Sequence, residues 1–342
     1  MHRFLVPIVC VALTAACAGT PGGTAAAPSA GSSGSNSATA AIWPLRGTST
    51  SDVPATKLRP LVVKVANDPN SRPQTGLLAA DVVIEIIVEG NITRLAVVFH
   101  SQDPSRVGPV RSARQSDLNY LSTLKAILTH VGASDTVAKL VRDAANSGAF
   151  VDVDEFEHPD AFERTTDKPA PYNTYTSGAK IRQAAGDKGK ASVDVPALPF
   201  DGAVKGETSK TSVPGESFTV PYPAEAQRTT YEYDGSSGYR RTQGGAKTTE
   251  GGKDVLPQNV VIIKTEVTEI PGTADAAGAP SVDYRATGTG PLVVFRDGKR
   301  FEGTWSRQGT EMYKLADAAG ATIALRPGLT WLHIVPSSFD IR

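Results

Sequence analysis

The stretch from Asp81 to Ser101, "DVVIEIIVEGNITRLAVVFHS", restricts the fold more than any other part of the chain. Two runs rich in Val and Ile flank Glu89-Gly90-Asn91. That is the composition of two strands joined by a tight turn, so an antiparallel hairpin is expected. Neither run alternates apolar with polar residues. Continuous apolar character of this kind belongs to strands buried on both faces, so the hairpin should lie inside a sheet covered on both sides.

The neighbouring segments supply further strands and possible covers. "PLVVKVAN" (Pro60–Asn67) reads as a strand and "DPNSRPQTG" (Asp68–Gly76) as a loop. Apolar residues at Ala113, Leu118, Leu121, Leu124 and Ile127 fit one helical stripe between Ser112 and Leu128. "AILTHVGAS" and "AFVDVDEF" read as strands. "TVAKLVRDAANSG" reads as a helix, and Ser177 can cap another that runs through Ala185. Helices alternating with strands predict an α/β domain with a mixed sheet over residues 43–195. After a connector rich in Lys, Gly and Asp, short strands divided by turns predict an all-β domain over residues 212–342. Asp234-Gly235 and Asp297-Gly298 suit hairpin turns there. The fold class expected is therefore α+β.

The first 42 residues differ from the rest. "MHRFLVPIVCVALTAACAGT" has one Arg, a short apolar run and then small residues. The run is too short for a permanent membrane helix and suits an export signal over residues 1–17. Thr14, Ala15 and Ala16 directly before Cys17 resemble a bacterial lipobox, with Thr14 standing where an aliphatic residue is commoner. Lipidation at Cys17 would hold the protein at the outer face of the cytoplasmic membrane. Residues 18–42 are mostly Gly, Ala, Ser, Thr and Pro, the composition of a flexible tether. Both cysteines, Cys10 and Cys17, lie in this leader, so no disulfide is expected in the folded body.

The chain has 35 basic and 35 acidic residues, for a formal net charge of zero. That argues against nucleic acid as a partner, although a local basic site remains open. "VGPVRSARQSD" (Val107–Asp117) provides such a site. If the helix begins at Ser112, Arg111 and Arg114 share its first turn, where the positive end of the helix dipole opposes them. An anion between them would relieve that conflict. It could be Glu89, Asp103 or Asp117, giving a structural ion-pair network. It could equally be a ligand phosphate or carboxylate. Arg94 and Glu89 sit near enough in the chain to join the group. Glu89 is the candidate catalytic carboxylate if the protein cleaves glycans, but arginine neighbours keep a carboxylate ionised and oppose a general-acid role.

"RTTDKPAPYNTYTS" (Arg164–Ser177) places Arg164, Lys168, Tyr172, Asn173 and Tyr175 on a Pro-stiffened loop. Aromatic, amide and cationic groups of this kind serve sugar or peptide ligands, or fill the underside of a loop. His100, His130, His158 and His333 show no metal-ligand spacing, and the acidic run Asp152, Asp154, Glu155 and Glu157 lacks a calcium-loop pattern. No metal or cofactor is expected. Trp305 and Trp331 are read as core.

The blocks "VEGNITRLAVVF", "VGPVRSAR", "APYNTYT", "VVFRDGKRFEGTWSR" and "LRPGLTWLHIVP" occur in an order that resembles the YerB-like family of bacterial lipoproteins. The resemblance covers nearly all of residues 58–340. It implies an envelope lipoprotein of two parts, N-terminal and C-terminal, each a domain of unknown function. It hands over no catalytic residue. Members of that family often read Ala-Pro-His-Asn where this chain has Tyr172. The expected function is binding of an anionic wall component, peptidoglycan peptide or glycan, with Arg94, Arg111, Ser112, Arg114, Tyr172, Asn173 and Tyr175 as ligand contacts. Alternatives are a peptidoglycan-remodelling hydrolase using Glu89, or a non-catalytic scaffold for envelope proteins.

Overall fold

The hairpin read from residues 81–101 lies at the centre of a large mixed sheet. The structure is a computed structural model and describes residues 41–274 and 278–342, whose folded part is one compact unit. The expected signal peptide, Cys17 and residues 18–40 of the expected tether (18–42) lie outside the described residues. From the N-terminal segment come β1 (Leu61–Ala66), β2 (Val82–Ile87), β3 (Thr93–Phe99), α1 (Leu118–Leu124), β4 (Ile127–His130), α2 (Asp135–Asn146), β5 (Val151–Asp154), the short pair β6 (Phe162–Arg164) and β7 (Thr174–Thr176), and α3 (Gly178–Lys190). The C-terminal segment adds β8 (Val213–Pro214), β9 (Ser217–Val220), β10 (Thr229–Tyr233), β11 (Tyr239–Gln243), β12 (Asn259–Thr265), β13 (Val267–Ala274), β14 (Pro280–Tyr284), β15 (Gly288–Arg296), β16 (Lys299–Arg307), β17 (Lys314–Ala316) and β18 (Thr330–Pro336).

The two segments share one sheet of 11 strands, in the order β8-β16-β15-β12-β18-β2-β3-β1-β4-β5 with β17 paired to β16. The last strand, β18, lies between them. It runs parallel to β12 on one side and parallel to β2 on the other, with Thr330 opposite Val82 and Ile334 opposite Ile86. The N-terminal part is mixed, because β3 runs antiparallel to both β2 and β1 while β4 and β5 continue parallel to β1. The expected α+β class holds.

Side chains alternate across this sheet as strand geometry requires, yet both faces are buried. Val62, Ile84, Ala96, Val98, Val261 and Leu332 pack on one face against Leu121 of α1 and Val137 and Val141 of α2. Val63, Val83, Leu95, Val97, Val260 and Trp331 pack on the other. There they meet Ile181 of α3 and Phe218, Tyr231 and Tyr239 of the small meander β9–β11. Trp305 and Trp331 are both fully buried. Asp297 and Gly298 have φ of 54° and 68°, the pair of positive values that a two-residue hairpin turn needs.

One expected element is different. The helix begins at Leu118, not Ser112, and ends before Lys125, so Ile127 belongs to β4. Residues 110–114 are instead an extended strap. The N–H of Arg111 donates to the Lys64 carbonyl at 2.9 Å, and that of Ala113 to the Gly132 carbonyl at 3.0 Å. Arg114 is itself extended, with φ −129° and ψ 156°. Arg111 and Arg114 therefore do not share a helical turn.

The meander face carries a buried polar core around Glu85 of β2, which is fully inaccessible. Its Oε1 accepts from Thr93 (2.8 Å), Asn67 (3.1 Å) and Gln243 (3.3 Å). Its Oε2 accepts from Arg241 of β11 and from the Trp331 indole of β18, each at 2.8 Å. Burial alone would push the Glu85 carboxyl up. The Arg241 guanidinium and the donated hydrogen bonds outweigh it and hold the group ionised, below its ordinary range. Removing one partner of such a pair strands a buried charge, at about 3–5 kcal/mol. Arg241→Met should lower the urea-unfolding free energy by about that amount. A loss under about 0.5 kcal/mol would mean that the pair contributes no more than a surface ion pair.

His333, beside Glu85, is held between the hydroxyls of Tyr222 and Tyr231, each 2.8 Å from a ring nitrogen. A neutral imidazole serves both, donating from one nitrogen and accepting at the other. Burial pushes its pKa down to about 4. The folded value lies below the unfolded one, so this group's contribution is complete above about pH 6.5 and is lost as pH falls toward 4, by about 3 kcal/mol. His100, also pushed to about 4 chiefly by burial, acts over the same window. Urea midpoints should therefore fall steadily from pH 6.5 to pH 4, and His333→Gln should remove roughly half of that slope. A midpoint independent of pH across this range would contradict the neutral buried imidazole.

Candidate functional site

On the opposite face, the carboxyl ends of β1 and β4 lie beside the start of β3, and the strap crosses above them. Arg94 opens β3, opposite Ala66 of β1 and Ile86 of β2. By alternation it points to the α1/α2 face, as does Lys64 of β1. Two cations thus stand on adjacent strands where the surrounding residues are apolar.

Lys64 is neutralised locally. Its Nζ donates to Asp117 Oδ1 at 2.6 Å, and the Tyr120 hydroxyl donates to the same oxygen at 2.5 Å. Asp117 Oδ2 accepts the Arg114 backbone N–H at 2.8 Å, which ties the end of the strap to the sheet. Burial lowers the Lys64 pKa and Asp117 opposes the shift. Arg114 is also paired. Its Nε donates to Glu89 Oε2 at 2.8 Å and its Nη1 to the carbonyls of Ser112 (3.3 Å) and Ala113 (3.0 Å). The other Glu89 oxygen accepts from Ser281 Oγ at 2.8 Å. Of the three carboxylates considered for these arginines, Glu89 takes the Arg114 side chain, Asp117 takes its backbone, and Asp103 pairs with Arg182 instead.

Arg94 is different. It is 3% exposed, and its Nε and Nη1 are buried without a hydrogen-bond partner among the described residues. Burial is the main cause that pushes its pKa down to about 10. Arg114 and Arg111 push the same way, while Asp68 and Glu89 oppose them. Arg111 Nε is likewise buried and unpartnered. The Arg111 guanidinium lies 5.7 Å from the Tyr172 ring centre, and its Nη1 reaches only the Pro171 carbonyl, at 3.5 Å. Tyr172 stands beside Asp68, and its pKa is raised by burial and by that carboxylate. Asp68 Oδ2 and Asn173 Oδ1 are buried acceptors without a donor, whereas Asn173 Nδ2 donates to the Thr165 carbonyl at 3.2 Å.

Arg94, Arg111, Tyr172 and Asp68 therefore lie within electrostatic reach of one another, with Arg114 and Glu89 paired alongside. Ser112 lines an adjoining cavity of about 300 Å³ with Glu89, Arg114, Ser134, Ile270 and Ser281. Tyr175 is elsewhere. It is buried under Arg106, whose guanidinium carbon is 3.9 Å from the ring centre. Gly108 is buried against this ring. A Cβ there would fall 2.7 Å from Tyr175 Cδ1. Arg164 pairs with Glu155 at 2.7 Å, and Lys168 donates to the carbonyls of Ser71 and Pro73.

The sequence reading missed Lys64, Asp68 and Ser281. Lys64 leaves a signal, a lone charge inside a run of buried apolar residues. Asp68 does not. It precedes Pro69 at the N-terminus of a short 3-10 turn, where a capping role is the natural reading, but its side chain makes no cap. Among the described residues no cluster of His, Cys, Asp or Glu is arranged to hold a metal, and no helix is long and apolar enough to cross a membrane.

Two family models match the chain. Both are described as protein of unknown function (DUF3048), the N-terminal domain over residues 45–191 and the C-terminal domain over residues 218–332. The chain is 33% identical over 301 residues to the Bacillus subtilis protein named "Putative lipoprotein YerB", covering 86% of each chain. It is also similar to the crystal structure of the Bacillus subtilis YerB protein, with a TM-score of 0.73 and 30% identity, covering 88% of this chain and 99% of that one. The chain belongs to the DUF3048 family, whose two matched parts here supply the strands of one sheet.

Proposed function

We propose that this protein is an exported lipoprotein, anchored at the outer face of the cytoplasmic membrane through Cys17, that binds an anionic group of the cell wall at Arg94 and Arg111. Its relative's name and the lipobox-like leader support the location. The observation that carries the binding reading is Arg94. Buried polar groups are satisfied almost without exception in folded proteins, and a buried cation without an acceptor is costly. Lowering its pKa from 12.5 to about 10 corresponds to about 3 kcal/mol against the charged form. A phosphate or carboxylate accepting from the Arg94 fork and from Arg111 would recover that cost on binding.

The arginines divide by role. Arg114 belongs to the framework with Glu89, as the scaffold alternative requires. Arg94 and Arg111 keep unmet donors. A hydrolytic role for Glu89 has less support, because Arg114 and Ser281 occupy both its oxygens.

In the ligand-free protein Arg94→Met should raise stability by about 1–3 kcal/mol, since it replaces an unpaired buried cation with an apolar chain. The same variant, and Arg111→Ala, should lose co-sedimentation of residues 41–342 with purified bacterial wall. Destabilisation by Arg94→Met together with unchanged sedimentation would make Arg94 structural and overturn the reading. Release of soluble wall fragments that stops in Glu89→Gln would replace it with a hydrolytic one.

A further inference from the structure

The unmet groups around Arg94 are of both kinds. Donors are Arg94 Nε and Nη1 and Arg111 Nε. The acceptor is Asp68 Oδ2. A simple anion would satisfy the donors only. It would also face the Asp68 carboxylate and leave Asp68 Oδ2 without a hydrogen bond, which is unfavourable in a buried site.

The charges can be followed group by group. Lys64 is balanced by Asp117, and Arg114 by Glu89. Arg72 directs Nη2 to the Asn67 carbonyl and the Gln227 side chain, and it lies in the fields of both Glu85 and Asp68. What remains facing the site is two guanidinium groups and one carboxylate. Asp68 is the strongest opposing charge felt by Arg94, yet the two form no ion pair. A ligand with opposite charges of its own would satisfy both.

We infer that the group recognised here is zwitterionic: an amino-acid head whose carboxylate binds Arg94 and Arg111 and whose ammonium donates to Asp68. This rests on the anion-binding reading above and narrows it. With two cations against one anion, an acidic amino acid, carrying one ammonium and two carboxylates, matches the site charge for charge. A phosphodiester or an N-acylated sugar acid lacks the ammonium.

The test uses three probes on residues 41–342 by calorimetric titration: glutamate in both enantiomers, glutarate, and inorganic phosphate. Glutarate is glutamate without the ammonium and carries more negative charge. Attraction to arginines alone therefore ranks glutarate above glutamate. The zwitterionic site reverses that order, with glutamate of at least one enantiomer binding about tenfold or more tightly. Asp68→Asn, which keeps the side-chain shape, should abolish the preference while glutarate binding is retained or strengthened. Matched thermal melts would show that the variant is folded. γ-Glutamylglycine separates the two sources of the head group. Binding equal to glutamate assigns a peptide-borne head, weaker binding assigns the free amino acid, and either is consistent with the inference. Glutarate or phosphate binding as tightly as glutamate would overturn the zwitterion while leaving the anion site standing. No binding by any probe at millimolar concentration would also overturn it, and the wall sedimentation of Arg94→Met then decides the anion reading by itself.

Discussion

The pairing of Glu85 with Arg241 is the interaction on which the rest of the architecture depends. Glu85 is on β2 and Arg241 is on the meander, 156 residues later. Trp331 of β18 donates to the same carboxylate oxygen and lies under the Arg241 guanidinium at 4.4 Å. Three segments distant in sequence thus meet at one buried charge. Such a charge is tolerable only when every lone pair is used, and five donors are supplied. A one-residue slip of β18 against β2 would turn Trp331 to the opposite face and break the arrangement. The carboxylate therefore fixes the register of the parallel seam that joins the N-terminal and C-terminal parts.

Arg94 is the instructive contrast. It sits opposite Ile86 on the strand paired to β2, while Glu85 on β2 is opposite Leu95. The two charged residues are thus near neighbours separated by the thickness of the sheet. One has a complete set of partners from three segments. The other has none for two of its nitrogens. The same chain that surrounds Glu85 with donors has Glu89 in the field of Arg94 and commits it to Arg114. A packing requirement would have been met by redirecting it. The unmet guanidinium is better explained by a partner that arrives from outside.

The parts of this structure that local chemistry decides were legible in the sequence. The hairpin at Glu89–Asn91 could be read because Gly90 and Asn91 accept positive φ between β-branched runs. The two covered faces could be read because apolar residues continue where alternation would otherwise appear. The strap was not legible. Val110 and Ala113 are buried on opposite sides of the sheet end, and their spacing, followed by the real helix, imitates a helical stripe. The shared sheet was hidden for another reason. A parallel pairing between residues 82–86 and 330–334 leaves no mark in either strand, since each reads as buried regardless of its neighbour. Tyr175 was grouped with Tyr172 because they are close in sequence. Its strand position turns it toward Arg106 instead.

The contrast between the two faces also bears on how the site can exist. Domains of ordinary size are stable by only about 5–15 kcal/mol, so an uncompensated charge worth about 3 kcal/mol takes a large share. It is tolerable where the surrounding backbone is fixed by contacts that do not depend on it. Here the strap is held to β1 and β4 through Arg111 and Ala113 main-chain bonds, and Asp117 binds Lys64, Tyr120 and the Arg114 N–H together. None of these contacts involves the Arg94 guanidinium. The framework thus holds an electrically unfinished cluster in place, and a ligand that completes it spends little binding free energy on ordering the protein.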